Sequence, residues 1–386
     1  GENLFWLGRY TERTEQQVRL ARATLLLIAD DGAANGPLLT ALSTLGARAG
    51  LVGSELGSGL GSGLGSAFGS GPGLGSNAGS GVGMGPGVGI GTLPEGASGV
   101  GDGEPDPERV SRDYAQALLR GLAARGAEVG LIPGIPFNLQ ALERVSLALR
   151  DRLSTEHWSL MQRMRIIFSR SLTPAEEGLP VMAKVLPALD RLAVQLAAAT
   201  GAQSDRMTRD LGWRLLILGR LLERLVGLTQ SLEVFLAAGA QASTAGVAHL
   251  LQLFASTITF RARYQGHEDL LALADLLVLD DTNPRAFAGV LRRLRTELSK
   301  LPGGGVDPGV ATAGPGDSGL VSLVARLPAA GVGITLEDLR DVDDAALAAF
   351  LTDLARDLRQ RALSLSEEIG YRYFALADGP AQVQHT

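Results

Sequence analysis

The chain has 386 residues, 45% of them hydrophobic, and a formal net charge of −6. That is enough apolar residue for one large core, while the negative balance offers no general attraction to nucleic acid or to an anionic membrane. There is no cysteine, which excludes disulfides, thiolate nucleophiles and cysteine-ligated metals and fits a reducing cytoplasm.

No uninterrupted apolar run is long enough to span a bilayer. The chain begins Gly-Glu-Asn, already inside a helical pattern and without a signal-peptide layout, which reads as a piece of a longer protein. Residues 2–29 carry Leu4, Leu7, Val18, Leu25 and Ile28 at helical spacing, with Phe5, Trp6 and Tyr10 beside them. Asp30-Asp31-Gly32 ends that helix, and Pro37 opens a second one running to about Ala49.

Residues 53–103 change character. From Gly57 to Gly91, sixteen of the eighteen odd positions are glycine, interrupted by Ala67 and Asn77. The tract reads as a flexible low-complexity insertion. Its strict alternation leaves a packed, glycine-faced structure as the alternative. It is no phosphate-binding loop, because no strand precedes it and no Lys-Ser/Thr follows.

Helical signals resume at Pro107 and run to about Arg125, and Pro133 to Pro136 form a turn. Residues 137–170 read as one long or kinked helix with Ser154 capping a restart. Thr173-Pro174-Ala175-Glu176 predicts the start of a helix over 174–199. Further helices are expected over 204–237, 243–264 and 268–278. Asn283-Pro284 predicts a cap and first position for a helix reaching Lys300. Residues 302–318 are a second Gly/Pro-rich loop. Short helices are expected near 319–328 and 335–341, and a long one over 343–376. With no convincing strand pattern, the chain reads as one all-α domain over 1–386, a mostly antiparallel multi-helix bundle.

One sequence occurs twice. Leu7-Gly8-Arg9-Tyr10-Thr11-Glu12-Arg13 is matched by Leu218-Gly219-Arg220-Leu221-Leu222-Glu223-Arg224. In each copy Arg, Glu and Arg fall at i, i+3 and i+4, on one face of a helix. The two faces are expected to pack together and neutralise one another. They make either a set of buried ion pairs fixing helix register or a polar site for an anionic or peptide-like ligand.

ENLFWLGRYTER at the start and MTRDLGWRLLILGRLLER at 207–224 carry a resemblance to a known family. So do Arg152 to Trp158 (RLSTEHW), Arg261-Ala262-Arg263-Tyr264, Leu277 to Asp280 leading into Asn283-Pro284-Arg285, and Arg372-Tyr373-Phe374. These segments, in this order, resemble the bacterial alpha-E family, an all-helical domain of unknown function. The Gly-rich tract departs from that pattern as an insertion, and His157 stands where the pattern has a smaller or apolar residue. The resemblance implies a partner: a circularly permuted ATP-grasp ligase, fused upstream or separate, often with a transglutaminase-like protease nearby, in systems proposed to make or attach small peptides. ATP and Mg would then belong to the ligase and not to this chain.

Beyond the two motifs, Asp210 and Arg214 read as an i, i+4 pair next to Arg209, and Trp213 as a core residue. Arg261, Arg263 and Tyr264 form a basic-aromatic cluster at a helix end, which serves either the helix dipole or a carboxylate or phosphate clamp. The candidate ligand-binding set is therefore Arg9, Glu12, Arg13, Arg209, Asp210, Arg214, Arg220, Glu223, Arg224, Arg261, Arg263 and Tyr264. None of His157, His249, His267 and His385 stands at metal-ligand spacing from another His, so no metal site is expected, and His249 reads as a satisfied core residue. No nucleophile elbow surrounds any Ser. An accessory or binding module for the ligase is the leading expectation. A structural or oligomerisation bundle, and an independent enzyme using Glu12 or Glu223, are the alternatives.

Overall fold

The computed structural model describes residues 1–30, 36–52, 107–130, 133–173, 178–265, 269–302, 327 and 332–374. The whole Gly-rich tract (53–103), all but the start of the 302–318 loop, and the helix expected near 319–328 fall outside these residues, apart from Leu327 in the last. Thirteen helices and no strand occur among the described residues. They are α1 (Glu2–Ala29), α2 (Gly36–Arg48), α3 (Pro107–Ala123), α4 (Ile135–Ala148), α5 (Thr155–Ser171), α6 (Met182–Asp205) and α7 (Leu211–Ala237). Then follow α8 (Thr244–Leu253), α9 (Thr257–Tyr264), α10 (Leu270–Ala274, widening into a π turn over Asp275–Leu279), α11 (Phe287–Leu298), α12 (Leu336–Leu339) and α13 (Asp344–Tyr373).

Local chemistry sets most of the starts. Side-chain oxygens of Ser154, Asp210, Ser243, Asp269 and Asp343 accept first-turn backbone N–H groups of α5, α7, α8, α10 and α13. Thr335 and Asp338 form a reciprocal capping box on α12.

Four expectations are corrected. The run 137–170 is two helices, because the chain turns at Leu149–Leu153 before Ser154 caps α5. The helix expected from 174 starts at Met182, with Val181 before it; Pro174 to Glu177 lie outside the described residues. The run 243–264 breaks where Ala255 takes a left-handed conformation (φ 51°). Asn283 does not cap α11, which begins at Phe287 after Ala286. Asn283 instead accepts the N–H of Arg285 and donates to the Leu276 carbonyl, shaping the turn that aims Arg285.

Helix α7 is the hub. Leu215 to Leu225 are all buried, including Arg220, Glu223 and Arg224, whose charges are paired across the contact with α1. Helix α1 lies along it. Leu4 meets Gly212, Gly8 meets Leu216 and Arg220, and Gln16 meets Gly227, so residue numbers rise together and the two helices run parallel. Within a bundle expected to be mostly antiparallel, this central pair runs parallel. Helices α6 and α11 run antiparallel to this pair, and α5 runs antiparallel to α4. Thr11–Gln203 and Arg22–Asp190 contacts set α6 against α1. Arg224–Pro284 and Arg214–Glu297 contacts set α11 against α7, and Glu143–Arg165 with Ser146–Gln162 set α5 against α4.

The α1–α7 contact is close because both motif copies carry glycine at its centre. A methyl on Gly8 would overlap the Leu216 carbonyl, and one on Gly219 would overlap the Phe5 carbonyl. The relation is an exchange: Gly8, Leu216 and Arg220 correspond to Gly219, Phe5 and Arg9, all displaced by 211 positions. Gly1 against Leu215 and Gly212 against Leu4 obey the same exchange. The hub is thus a parallel pair with internal two-fold pseudosymmetry.

Candidate functional site

The exchange extends to the charges. Arg9 Nε and Arg13 Nε donate to Glu223 at 2.8 and 2.6 Å. Arg220 and Arg224 donate to Glu12 at 3.1 and 2.6 Å. Each glutamate is therefore clasped by two arginines of the opposite helix. All six motif residues come together as expected, but the pairing is entirely between helices. Loss of the Arg220 guanidinium takes a partner from Glu12, and not from Glu223 as intrahelical pairing would have it.

Two further residues join the Glu12 side. Arg285, from the turn before α11, reaches Glu12 at 3.3 Å and also pairs with Glu15. Glu15 also holds Arg19 at 2.9 Å and lies 3.6 Å from Arg220. Glu12 is 0% exposed. Burial alone would raise its carboxyl, but Arg224, Arg285 and Arg220 hold it well below the usual carboxylate range. Glu223 behaves likewise: burial pushes it up, and the charges and hydrogen bonds of Arg13 and Arg9 bring it below its ordinary value. Burial and the proximity of Arg285 push the Arg19 guanidinium down to about 10.

The two sides differ in access. On the Glu223 side a cavity of about 270 Å³ opens between α1, α7, α2 and Pro133. Its polar lining includes Arg13, Arg19, Arg48, Glu223, Gln16, Gln17, Gln230 and Ser231, and its apolar wall includes Leu20, Leu45 and Leu253. Gln17 is locked by bonds to the Ala49 and Pro133 carbonyls and by Asn138. Arg48 meets only the margin of Glu233, at 3.8 Å, which Arg356 and Arg359 also engage.

The other candidates fall elsewhere. Asp210 and Arg214 do not pair: Asp210 caps α7 and takes Arg152, while Arg214 goes to Glu297 at 2.9 Å. Asp210 faces the turn that carries Arg152, and Arg214 faces α11, so each finds an opposite charge away from the other. Exposed Arg209 lies over the ring of Trp213 at 5.3 Å. Trp213 is buried, as expected, and its indole N–H donates to the Gln203 carbonyl at 2.8 Å. Half-buried His249 bonds the Ala245 carbonyl. Arg263 pairs with Asp280 at 2.8 Å and the Tyr264 hydroxyl with Asp275, while Arg261 is exposed. This cluster borders a separate hollow with Asp269 and Leu336, so it does not join the motif pair.

Sequence reasoning missed Glu15, Arg19, Arg48 and Arg285. Glu15 and Arg19 continue the charged face of α1 one and two turns past Glu12, a spacing readable from the sequence. Arg48 and Arg285 come from distant segments that only the fold brings in.

Comparison with known proteins agrees with this architecture. Over 168 residues, 43% of this chain, it is 26% identical to an uncharacterized protein of Mycobacterium tuberculosis and to one of Mycobacterium bovis. The matched stretch is 19% of those proteins, so this chain corresponds to a minor part of their length. No solved structure matches. A family model described as a predicted α-helical domain with a conserved ER motif matches residues 1–374, and the parallel hub carries such a Glu-Arg step on each helix, Glu12-Arg13 and Glu223-Arg224. With the match running over nearly the whole chain, the protein belongs to the Alpha-E family.

Proposed function

We propose that this chain is a helical accessory module that holds an anionic or peptide-like substrate for a circularly permuted ATP-grasp amide ligase. The observation that carries the reading is the pairing state of the hub. Glu12 and Glu223 are buried, clasped by arginines and held below their ordinary values, so neither is suited to give up or take a proton near neutral pH. That argues against an independent acid–base enzyme. Three guanidiniums nevertheless border a cavity whose one carboxylate, Glu223, is already taken by Arg9 and Arg13. Such a surplus suits a carboxylate or phosphoryl group, which arginine holds with two hydrogen bonds. In this reading ATP and Mg act in the ligase, a transglutaminase-like protease is a further partner, and the setting is cytoplasmic. No described helix is long and apolar enough to cross a membrane.

The test is coupled ligation, with the ATP-grasp protein assayed with and without this chain. The expected result is a lower KM for the acceptor or a higher rate when the chain is present. Equal rates and equal KM in both arms overturn the accessory reading and leave a purely structural bundle.

A further inference from the structure

The hub's exchange symmetry shows what the cavity is. In the Glu12 half, Arg285 lies against Glu12, Glu15 and the backbone turn that also meets Arg224. Shifting by 211 positions turns Glu12, Glu15 and Arg224 into Glu223, Val226 and Arg13, and all three line the cavity. The cavity is therefore the place that the closed half fills with its own Arg285. In the open half the corresponding turn, before α4, contributes Pro133, which carries no charged side chain and walls the space without filling it.

The replacement of Glu15 by Val226 changes what can enter. A cation like Arg285 would find no second carboxylate, and Glu223 already accepts three hydrogen bonds from Arg9 and Arg13. An anion finds Arg19, whose one carboxylate, Glu15, is shared with Arg220 and Arg285. It also finds Arg48, whose nearest acid is 3.8 Å away and claimed by two other arginines. Gln16 and Gln230 add amides at the lining, and Leu20, Leu45, Val226, Leu228 and Leu253 form an apolar wall. The volume of about 270 Å³ lies just below the range of drug-sized sites, room for one or two amino-acid residues.

We propose that this cavity is a binding site for a small carboxylate with an apolar body, such as an N-acylated amino acid or the C-terminal residue of a short peptide. Its carboxylate would sit at Arg19 and Arg48 and its side chain on the leucine wall. For its biological role this rests on the accessory reading above; as a binding site it stands by itself.

Isothermal titration on the full chain tests it with N-acetyl-leucine, N-acetyl-leucinamide and inorganic phosphate as probes. N-acetyl-leucine is expected to bind, and the amide, which has the same shape without the charge, to bind at least tenfold more weakly. Phosphate, lacking the apolar body, is also expected to bind more weakly than N-acetyl-leucine. Arg48 is 44% exposed, so Arg48→Gln should leave the melting temperature nearly unchanged and weaken N-acetyl-leucine about tenfold. Ser231→Leu, which fills the cavity, should abolish binding. Absence of binding by N-acetyl-leucine, equal affinity for acid and amide, phosphate binding as tight as the acid, or an unchanged affinity in Arg48→Gln overturns the proposal. Binding with the expected discrimination, but without any effect of the chain on ligation, would sink the ligase partnership and leave the site standing.

Discussion

Glu12 and Glu223 occupy equivalent places in a pseudosymmetric helix pair, yet their surroundings have diverged. Both are clasped by two arginines from the opposite helix. Around Glu12 the protein adds Arg285 and Glu15 and closes the space; around Glu223 it leaves a cavity rimmed by Arg13, Arg19 and Arg48. Backbone packing is the part of the pair that stayed symmetric, because Gly8 and Gly219 leave no room for variation. The charges beyond the first clasp are the part that changed. A buried clasp is thereby expected to fix register in both halves, while the Glu223 half keeps a cavity beside its clasp.

Replacing each glutamate by glutamine tests that division most strongly. Glu12→Gln removes the carboxylate shared by buried Arg220 and Arg224 and by Arg285, and should cost about 3–5 kcal/mol in denaturant unfolding. In the other half Arg13 keeps 30% of its side chain exposed, so water compensates part of the loss. Glu223→Gln should cost less, about 1–3 kcal/mol. Equal losses would mean that the extra partners of Glu12 contribute nothing.

Gly8→Ala and Gly219→Ala test the symmetric part. Each methyl meets a carbonyl of the opposite helix, so each should destabilise by about 1–3 kcal/mol through overpacking, and the two losses should match. A large inequality in thermal or chemical unfolding would break the pseudosymmetry of the contact.

Acid titration separates the hub from its periphery. Glu12 and Glu223 lie below their ordinary value of 4.5 in the folded chain. Their stabilisation is therefore fully present above pH 4.5 and lost as the pH falls through the folded values; Glu12→Gln should flatten that acid limb. His157, on α5, adds a separate window. Burial, with Arg206 nearby, depresses it from 6.5 to about 4. The unfolded chain takes up a proton below pH 6.5 that the folded chain refuses until about pH 4, so stability should fall by at most about 1.4 kcal/mol per pH unit across that window. His157→Phe should remove this slope and leave the carboxylate limb in place, and an unchanged slope between pH 6.5 and 4 would refute the assignment.

The smallest effect concerns how α7 begins. Asp210→Ala removes the oxygen that accepts the Trp213 N–H and should cost about 1 kcal/mol; the pair with Arg152 is too exposed to add much. Such a loss without change in cavity binding would place Asp210 in the scaffold.

Most helices and the doubled motif were legible in the amino-acid order alone. Apolar residues recurring at helical spacing, with Ser154, Asp343 and Thr335 as caps, act within a few residues of where they stand, so they are legible without a fold. The same locality explains the misreadings: Pro174 and Asn283-Pro284 are good helix starts in isolation, yet the chain begins α6 and α11 later, where packing takes over. The expectation that the Leu-Gly-Arg faces meet was also readable, since buried arginine needs an acid. That the faces run parallel, that each glutamate is held across the contact, and that Arg285 fills one half while the other keeps a cavity came from the assembled fold. Those outcomes depend on Arg285, Arg48 and Pro133 arriving from turns and helices far along the chain. Charge pairing and cavity shape are set by which side chains converge in space, and no spacing along a single helix encodes that.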